Sequence, residues 1–460
     1  MLKDTMQTAY DRTGAASAEV VFPRVLIITK TLINPVDGMG ASLRNWFHAW
    51  PDGAIAQIFS SNALGDAGFC AQQYLLGPAD RRRGKLFARL KGSAQRSGST
   101  PVVGATAVPP PSPSRLRRLL RWGSDLLTDS GLWELLFPPV LSPALEAWVR
   151  EFDPQIIYAQ GFDLSFVWLP LLLHRRFGIP ICLQISDDWP VFLYRDVFTA
   201  PLMRPIVQRA FREFSTAAAV RLGTGERMQR EYQQRYGLSF EPIMICDDPA
   251  RFAAAQPQRA LPDDVITIGY SGGLGFGRWK SLLDLCKAVQ VLNAEGCRVA
   301  IVAYAGGLPP EAASALANQP HLHLLPPPPH EAVPSCLKGT DILFLPETFD
   351  PVQAAIIRYS ISTKAHLYMM SARPILVYGS AEAGVVDYAM NAGWGLVVNT
   401  QGSDYLADAL RQLITDMALR EQLLARADAV MRQNHDAATV RERFRHALTS
   451  ATLQGAGSTR

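Results

Sequence analysis

The stretch ISTKAHLYMMSARPILVYGS, residues 361–380, decides the fold. Its first half reads as a short helix. After Pro374 an apolar run, ILVY, has the length of a buried strand. Ser362 or Thr363 offers a side-chain oxygen to the helix N-terminus. Lys364 then falls in the first turn, where free N–H groups and the helix dipole already favour an anion. A cation is disfavoured there unless an anion lies beside it. Lys364 therefore points to a bound phosphate or a carboxylate partner, the alternative being a surface lysine at a fraying helix start. A helix feeding a buried strand is one unit of an α/β protein, and the rest of the chain supplies the others.

Upstream, ITIGYSGG (266–273) is an apolar run closed by Gly272 and Gly273. A loop leads from it into a helix at KSLLDLCKAVQVLN (280–293), whose Leu282, Leu285, Val289 and Leu292 share one face. DILFLP (341–346) and WGLVVN (394–399) read as further buried strands. The same alternation runs before residue 240. RVLIITK (24–30) precedes a loop with Gly38 and Gly40 and then a helix. IIYAQ (156–160), a helix over 163–177 and ICLQIS (181–186) follow. Strands that are apolar throughout belong to parallel sheets covered on both faces. Asp187, Asp188 and Trp189 follow such a strand at its carboxyl end, where open α/β sheets bind ligands.

A chain of 460 residues is too long for one core. The expected division is a leader (1–22), a first Rossmann-like domain (23–240), a linker (241–263) marked by four prolines, a second Rossmann-like domain (264–430), and a C-terminal helix and tail (431–460), the helix returning toward the first domain. The composition, 48% hydrophobic and 19% charged, is globular. The six cysteines are scattered without a CxxC, which argues against a disulfide framework or a zinc site and for a reduced, cytoplasmic protein. No apolar run has the length of a spanning helix. Residues 81–121 carry eleven Lys and Arg and no Asp or Glu, so the net +4 becomes −7 without them. This segment, with its Gly/Ser/Pro-rich centre, reads as a mobile basic insertion (about 80–121) able to lie on an anionic membrane surface; a solvated loop is the plainer reading. No nucleic-acid-binding motif accompanies the charge, so no nucleic-acid partner is expected.

Taken in order, these pieces resemble GT-B glycosyltransferases, specifically the retaining family-four type that uses nucleotide-sugar donors. The resemblance spans roughly residues 24–450. It rests on RVLIITK…GMG, on the segment ending QISDDW, on GERMQREYQQRYG with CDDPARF, on ITIGYSGGLGFGRWKSLLDL and on STKAHLYMMSARPILVYGS. It implies two Rossmann-like domains facing across a cleft, with a nucleotide-sugar as co-substrate, no other cofactor and no metal. It implies a donor diphosphate near Lys280, Arg278 and Lys364, with Gly272 and Gly273 allowing close backbone approach and Gly40 facing it across the cleft. Such a leaving group gains negative charge as the glycosidic bond breaks and needs cations or oriented N–H groups.

Asp187 and Asp188 are the candidates for orienting an acceptor hydroxyl or taking its proton; a helix cap and a turn aspartate are the structural alternatives. Trp189 is a candidate for stacking on a sugar, and Ser362, Thr363, His366 and Glu382 for nucleotide or sugar contacts. Related enzymes often carry two glutamates around residues 360–367, whereas this chain has Ser360 and Leu367. The expected function is a cytoplasmic glycosyltransferase, peripheral on the inner face of a membrane if the basic segment docks there, acting on a glycan or lipid-linked acceptor in polysaccharide or glycoconjugate synthesis. An epimerase-like enzyme of the same fold and a non-catalytic scaffold subunit of a glycan-assembly complex are the alternatives.

Overall fold

The computed structural model describes residues 22–34, 38–61, 69–70, 72–91 and 123–457. Most of the basic insertion lies outside the described residues, as does the leader up to residue 21. Seven parallel strands form the first sheet: Val25–Ile28 (β1), Ile55–Phe59 (β2), Gln72–Leu75 (β3), Ile156–Ala159 (β4), Ile181–Ile185 (β5), Ala218–Gly223 (β6) and Glu241–Pro242 (β7). Their spatial order is β3-β2-β1-β4-β5-β6-β7. Six more form the second sheet: Ile266–Ser271 (β8), Val299–Tyr304 (β9), Leu322–Leu325 (β10), Ile342–Pro346 (β11), Ile375–Tyr378 (β12) and Leu396–Val398 (β13). Their order is β10-β9-β8-β11-β12-β13, again with every pairing parallel. The order reverses between β1 and β4 and between β8 and β11. Each reversal opens a crevice at the carboxyl ends of the strands, the ligand position of doubly wound folds.

Side-chain alternation sorts each strand onto two cores. Leu26 and Ile28 join one apolar cluster while Val25 and Ile27 join the cluster on the opposite face. In β11, Ile342 and Phe344 face one cluster and Leu343 and Leu345 the other. Each fully buried Leu or Ile contributes about 1.5–3 kcal/mol, which accounts for strands that are mostly apolar.

Residues 241–263 carry structure of their own. Glu241–Pro242 completes the first sheet, and the helix Pro249–Ala254 sends Phe252 into the second domain's core. At the other end the chain crosses back. Asp436 forms a parallel bridge with Asp247, and the helix Ala437–Gly457 lies on the first domain. There Phe444 stacks on Trp46 at 5.6 Å and meets Phe47 edge-on at 5.0 Å. Arg441 donates to the Asn45 carbonyl at 2.7 Å. The C-terminal helix thus completes a core that the first domain's own residues leave open.

Candidate functional site between the domains

A cavity of about 320 Å³ lies between the carboxyl ends of the two sheets. Asp187 and Phe192 line it from the first domain; Phe276, Arg278, Glu347, residues 356–357 and 360–364, and Val385 line it from the second. Three of its charged groups come after strands. Asp187 comes after β5, Glu347 after β11, and Arg278 opens the helix Arg278–Ala294 beyond β8.

Glu347 is almost fully buried, and its backbone is pinned on both sides. Its N–H donates to the Tyr378 carbonyl at 2.7 Å, and its carbonyl accepts from Ser281 Oγ at 2.6 Å. Its carboxylate receives Arg278 as a fork, at 2.9 and 3.1 Å. A bidentate pair of this kind fixes the guanidinium plane. Arg278 is therefore held at the cavity wall.

Lys364 opens the helix Lys364–Met370. The cap is weak: Lys364 N–H reaches Ser362 Oγ at only 3.4 Å, and the Thr363 side chain makes no capping bond. The lysine side chain lies over Gly272, where a Cβ would stand 2.2 Å from Cε. Gly272 has φ +141°, a conformation that favours glycine, and a side chain there would displace the end of Lys364. The ammonium sits 5.8 Å from the Tyr270 ring centroid, a cation–π contact. Among the described residues it has no carboxylate partner, because Glu347 is engaged by Arg278. Burial, and then the nearby Arg278 charge, push its pKa down to about 8. Two cations thus share a half-enclosed space in which Glu347 is committed to Arg278.

Asp187 faces this space from the first domain. Its Oδ1 accepts from Ser360 Oγ at 2.5 Å, a hydrogen bond across the cleft. Burial raises its pKa, offset in part by that bond and by Arg278. Ser360 belongs to a segment that plugs into the first domain. Tyr359 packs in the first domain's core, with Arg227 and Arg235 each 5.7 Å from its ring centroid. Ile361 lies against Gly225, and the Thr363 side chain stands 3.0 Å from where a Cβ on Gly38 would be.

Several candidate residues lie elsewhere. Asp188 turns inward, accepting from Tyr232 Oη at 2.7 Å and Arg235 at 2.8 and 2.9 Å. Trp189 is buried: its Nε1 donates to the Gln160 carbonyl, and its ring fills the space over Gly161, so no sugar can stack on it. Gly40 makes its close approach within its own domain, against the Asn34 backbone; Gly38 is the glycine that meets the second domain. Lys280 is exposed over the Trp279 indole, 5.6 Å from its centroid, and does not line the cavity. Gly273 is exposed beside the cavity, its carbonyl accepting from Tyr270 Oη at 2.6 Å. His366 is buried and stacked 5.9 Å from His435, away from the cavity. Glu382 is exposed and paired with Arg358. Ser362 and Thr363 do line the cavity.

Residue-by-residue reading of the sequence missed Glu347, Ser360, Phe192 and Phe276. Glu347 carried a usable signal, because it directly follows a buried strand, the same rule that singled out Asp187. Among the described residues, no group of three or more His, Cys, Asp or Glu side chains is placed to hold a metal.

No family model and no curated protein sequence matches the chain. Solved structures do. HepE of Anabaena, in complex with UDP and glucose, superposes with a TM-score of 0.57 at 12% identity, over 93% of this chain and 100% of that one. Sucrose-phosphate synthase from Thermosynechococcus elongatus gives 0.57 at 12% identity over 91% and 96%. A UDP-forming trehalose-phosphate synthase from Burkholderia vietnamiensis gives 0.55 at 13% identity over 93% and 100%. At these identities the likeness is one of architecture, and it agrees with the strand order and the cleft: the chain has the GT-B fold, two Rossmann-like domains facing each other across a cavity at the carboxyl ends of their sheets.

Proposed function

We propose that the protein is a glycosyltransferase that takes a sugar from a nucleotide-sugar donor. The observation that carries this reading is the Arg278–Lys364 pair in an interdomain cavity, with Lys364 lacking a carboxylate partner among the described residues. A sugar diphosphate needs cations where its leaving-group charge develops, and Gly272 leaves the backbone beside Lys364 open to it. Structural neighbours with this fold bind UDP and glucose or form UDP, which supports the donor class.

In this reading Glu347 fixes Arg278, Lys364 supplies the second cation, and Asp187 orients the acceptor hydroxyl or receives its proton. Transfer proceeds with retention and without a metal, the two side-chain cations balancing the leaving group. The acceptor is a glycan or a lipid-linked glycan intermediate, and the protein works at the inner face of a membrane in polysaccharide or glycoconjugate synthesis.

The test is a thermal-shift series with UDP, GDP, ADP and CMP in the presence of EDTA. One nucleotide raises the melting temperature, and Lys364→Ala removes the shift. Binding weakens above about pH 8, where Lys364 loses its proton. No response to any nucleotide would sink the donor reading. Stabilisation without transfer or donor hydrolysis would favour the scaffold subunit.

A further inference from the structure

Before residue 240, the described residues include four exposed large apolar side chains: Leu86, Leu126, Phe198 and Leu202. Three of them gather at one hydrogen bond, from Thr199 Oγ1 to the Ser130 carbonyl at 2.5 Å. Ser130 N–H donates to the Leu126 carbonyl, and Leu202 N–H donates to the Thr199 carbonyl, both at 3.0 Å. Phe198 directly precedes Thr199. Leu126, Phe198 and Leu202 therefore lie within a turn of a single point. Phe198 is 73% and Leu202 53% exposed. Scattered exposed apolar residues need no explanation, but a cluster does.

The cluster follows a cavity-lining residue closely in the chain. Phe192 lines the cavity, and its carbonyl accepts from Arg195 N–H at 3.0 Å in the tight connection that leads to Phe198. Beyond it, the helix Ala200–Ala217 presents Leu202, Pro205, Arg209 and Arg212 to solvent. Their spacing of three, four and three residues puts them in one stripe. Among the described residues neither arginine has a carboxylate partner, since the adjacent Glu213 pairs with Arg175. Asp125 and Asp129 flank Leu126, so the positive end of the surface is the arginine end of this stripe.

We infer that Leu126, Phe198, Leu202, Arg209 and Arg212 form a docking surface for an anionic lipid bilayer. The apolar side chains enter the headgroup region and the arginines meet lipid phosphates. A symmetric pairing of two copies is the competing occupant, because a two-fold axis sets the Asp125 and Asp129 end of one copy against the arginine end of the other; the vesicle test separates the two. Combined with the proposed transferase reading, on which this last step rests, the surface brings the protein to the membrane and makes a membrane-borne acceptor its substrate.

The test uses the full chain, with sedimentation on phosphatidylcholine vesicles, with and without phosphatidylglycerol, and a UDP thermal shift in parallel. The wild type sediments with the anionic vesicles. Phe198→Ser/Leu202→Ser partitions at least about tenfold less, as expected for two apolar side chains kept out of the membrane. Arg209→Gln/Arg212→Gln loses the preference for phosphatidylglycerol. Both variants keep the wild-type melting temperature and nucleotide shift. Unchanged partitioning in the first variant would overturn the inference. So would a wild-type dimer that the first variant dissociates without any vesicle binding. Vesicle binding that follows the pattern while no nucleotide shifts the melt upholds the docking surface and defeats the donor reading instead.

Discussion

Asp187 and Asp188 are neighbours in sequence with opposite surroundings. Asp187 faces the cavity and a serine from the other domain, whereas Asp188 is locked beneath Tyr232 and Arg235. Asp188→Ala leaves Arg235 without its buried partner and is expected to cost about 3 kcal/mol, read in a denaturant melt. Asp187→Asn is expected to keep the melt and lower transfer about a hundredfold. The sequence placed both residues at a strand's carboxyl end but could not say which one faces the cleft, because that depends on the rotation of one turn. Lys364 shows a different tension. Its folded pKa of about 8 lies below the ordinary 10.5, so between these values the unfolded chain binds more protons and stability rises with pH. Lys364→Met is accordingly expected to stabilise the free protein at pH 7 by about 1–2 kcal/mol, allowing for partial exposure. The same change abolishes nucleotide binding, so the melt and the ligand shift move in opposite directions.

At the scale of elements, the buried central strands were legible because parallel strands covered on both faces are mostly apolar runs. The edge strands of the first sheet were not: QQYL and the two residues Glu241–Pro242 carry no such run, and pairing alone defines them. The helix after β8 starts at Arg278, two residues earlier than its apolar face suggests. Two residues are about 200° of helical rotation. This gives Arg278 the cavity side and turns Lys280 to solvent. The helix Lys364–Met370 also carries His366 on its inner face, against His435. His435 is held by the Ile245 carbonyl at 2.6 Å and by Tyr388 Oη at 3.1 Å, while His366 Nδ1 has no partner among the described residues. Burial pushes His435 down to about 4 and His366 well below its ordinary value, with His435 adding to the effect on His366. Both stay neutral in the fold while the unfolded chain takes up protons. Stability is therefore complete above about pH 6.5 and is lost as pH falls toward 4. His366→Leu is expected to flatten that decline, measured as melting temperature against pH, and to be neutral or stabilising at pH 7.

Across the whole molecule, the two domains share more than a cleft. The chain crosses between them at Asp247 and again at Asp436, the C-terminal helix fills the first domain's core, and Tyr359 of the second domain packs into it as well. The likeness of the two halves was readable from repeated strand–helix units. The plug at Tyr359–Thr363 was not, because it is an irregular stretch whose partners are hundreds of residues away. One of its contacts has a kinetic side. Ser360 already offers a hydroxyl to the carboxylate proposed to handle the acceptor's hydroxyl. A tethered group of this kind acts at an effective concentration in about the millimolar range or above. An acceptor must outcompete it, and water meets the same obstacle. Ser360→Ala is therefore expected to lower the acceptor KM several-fold and to raise wasteful hydrolysis of the donor, compared by following free sugar against transferred sugar. The protein's own serine works as a built-in rival substrate that never reacts, trading acceptor affinity for protection of the donor.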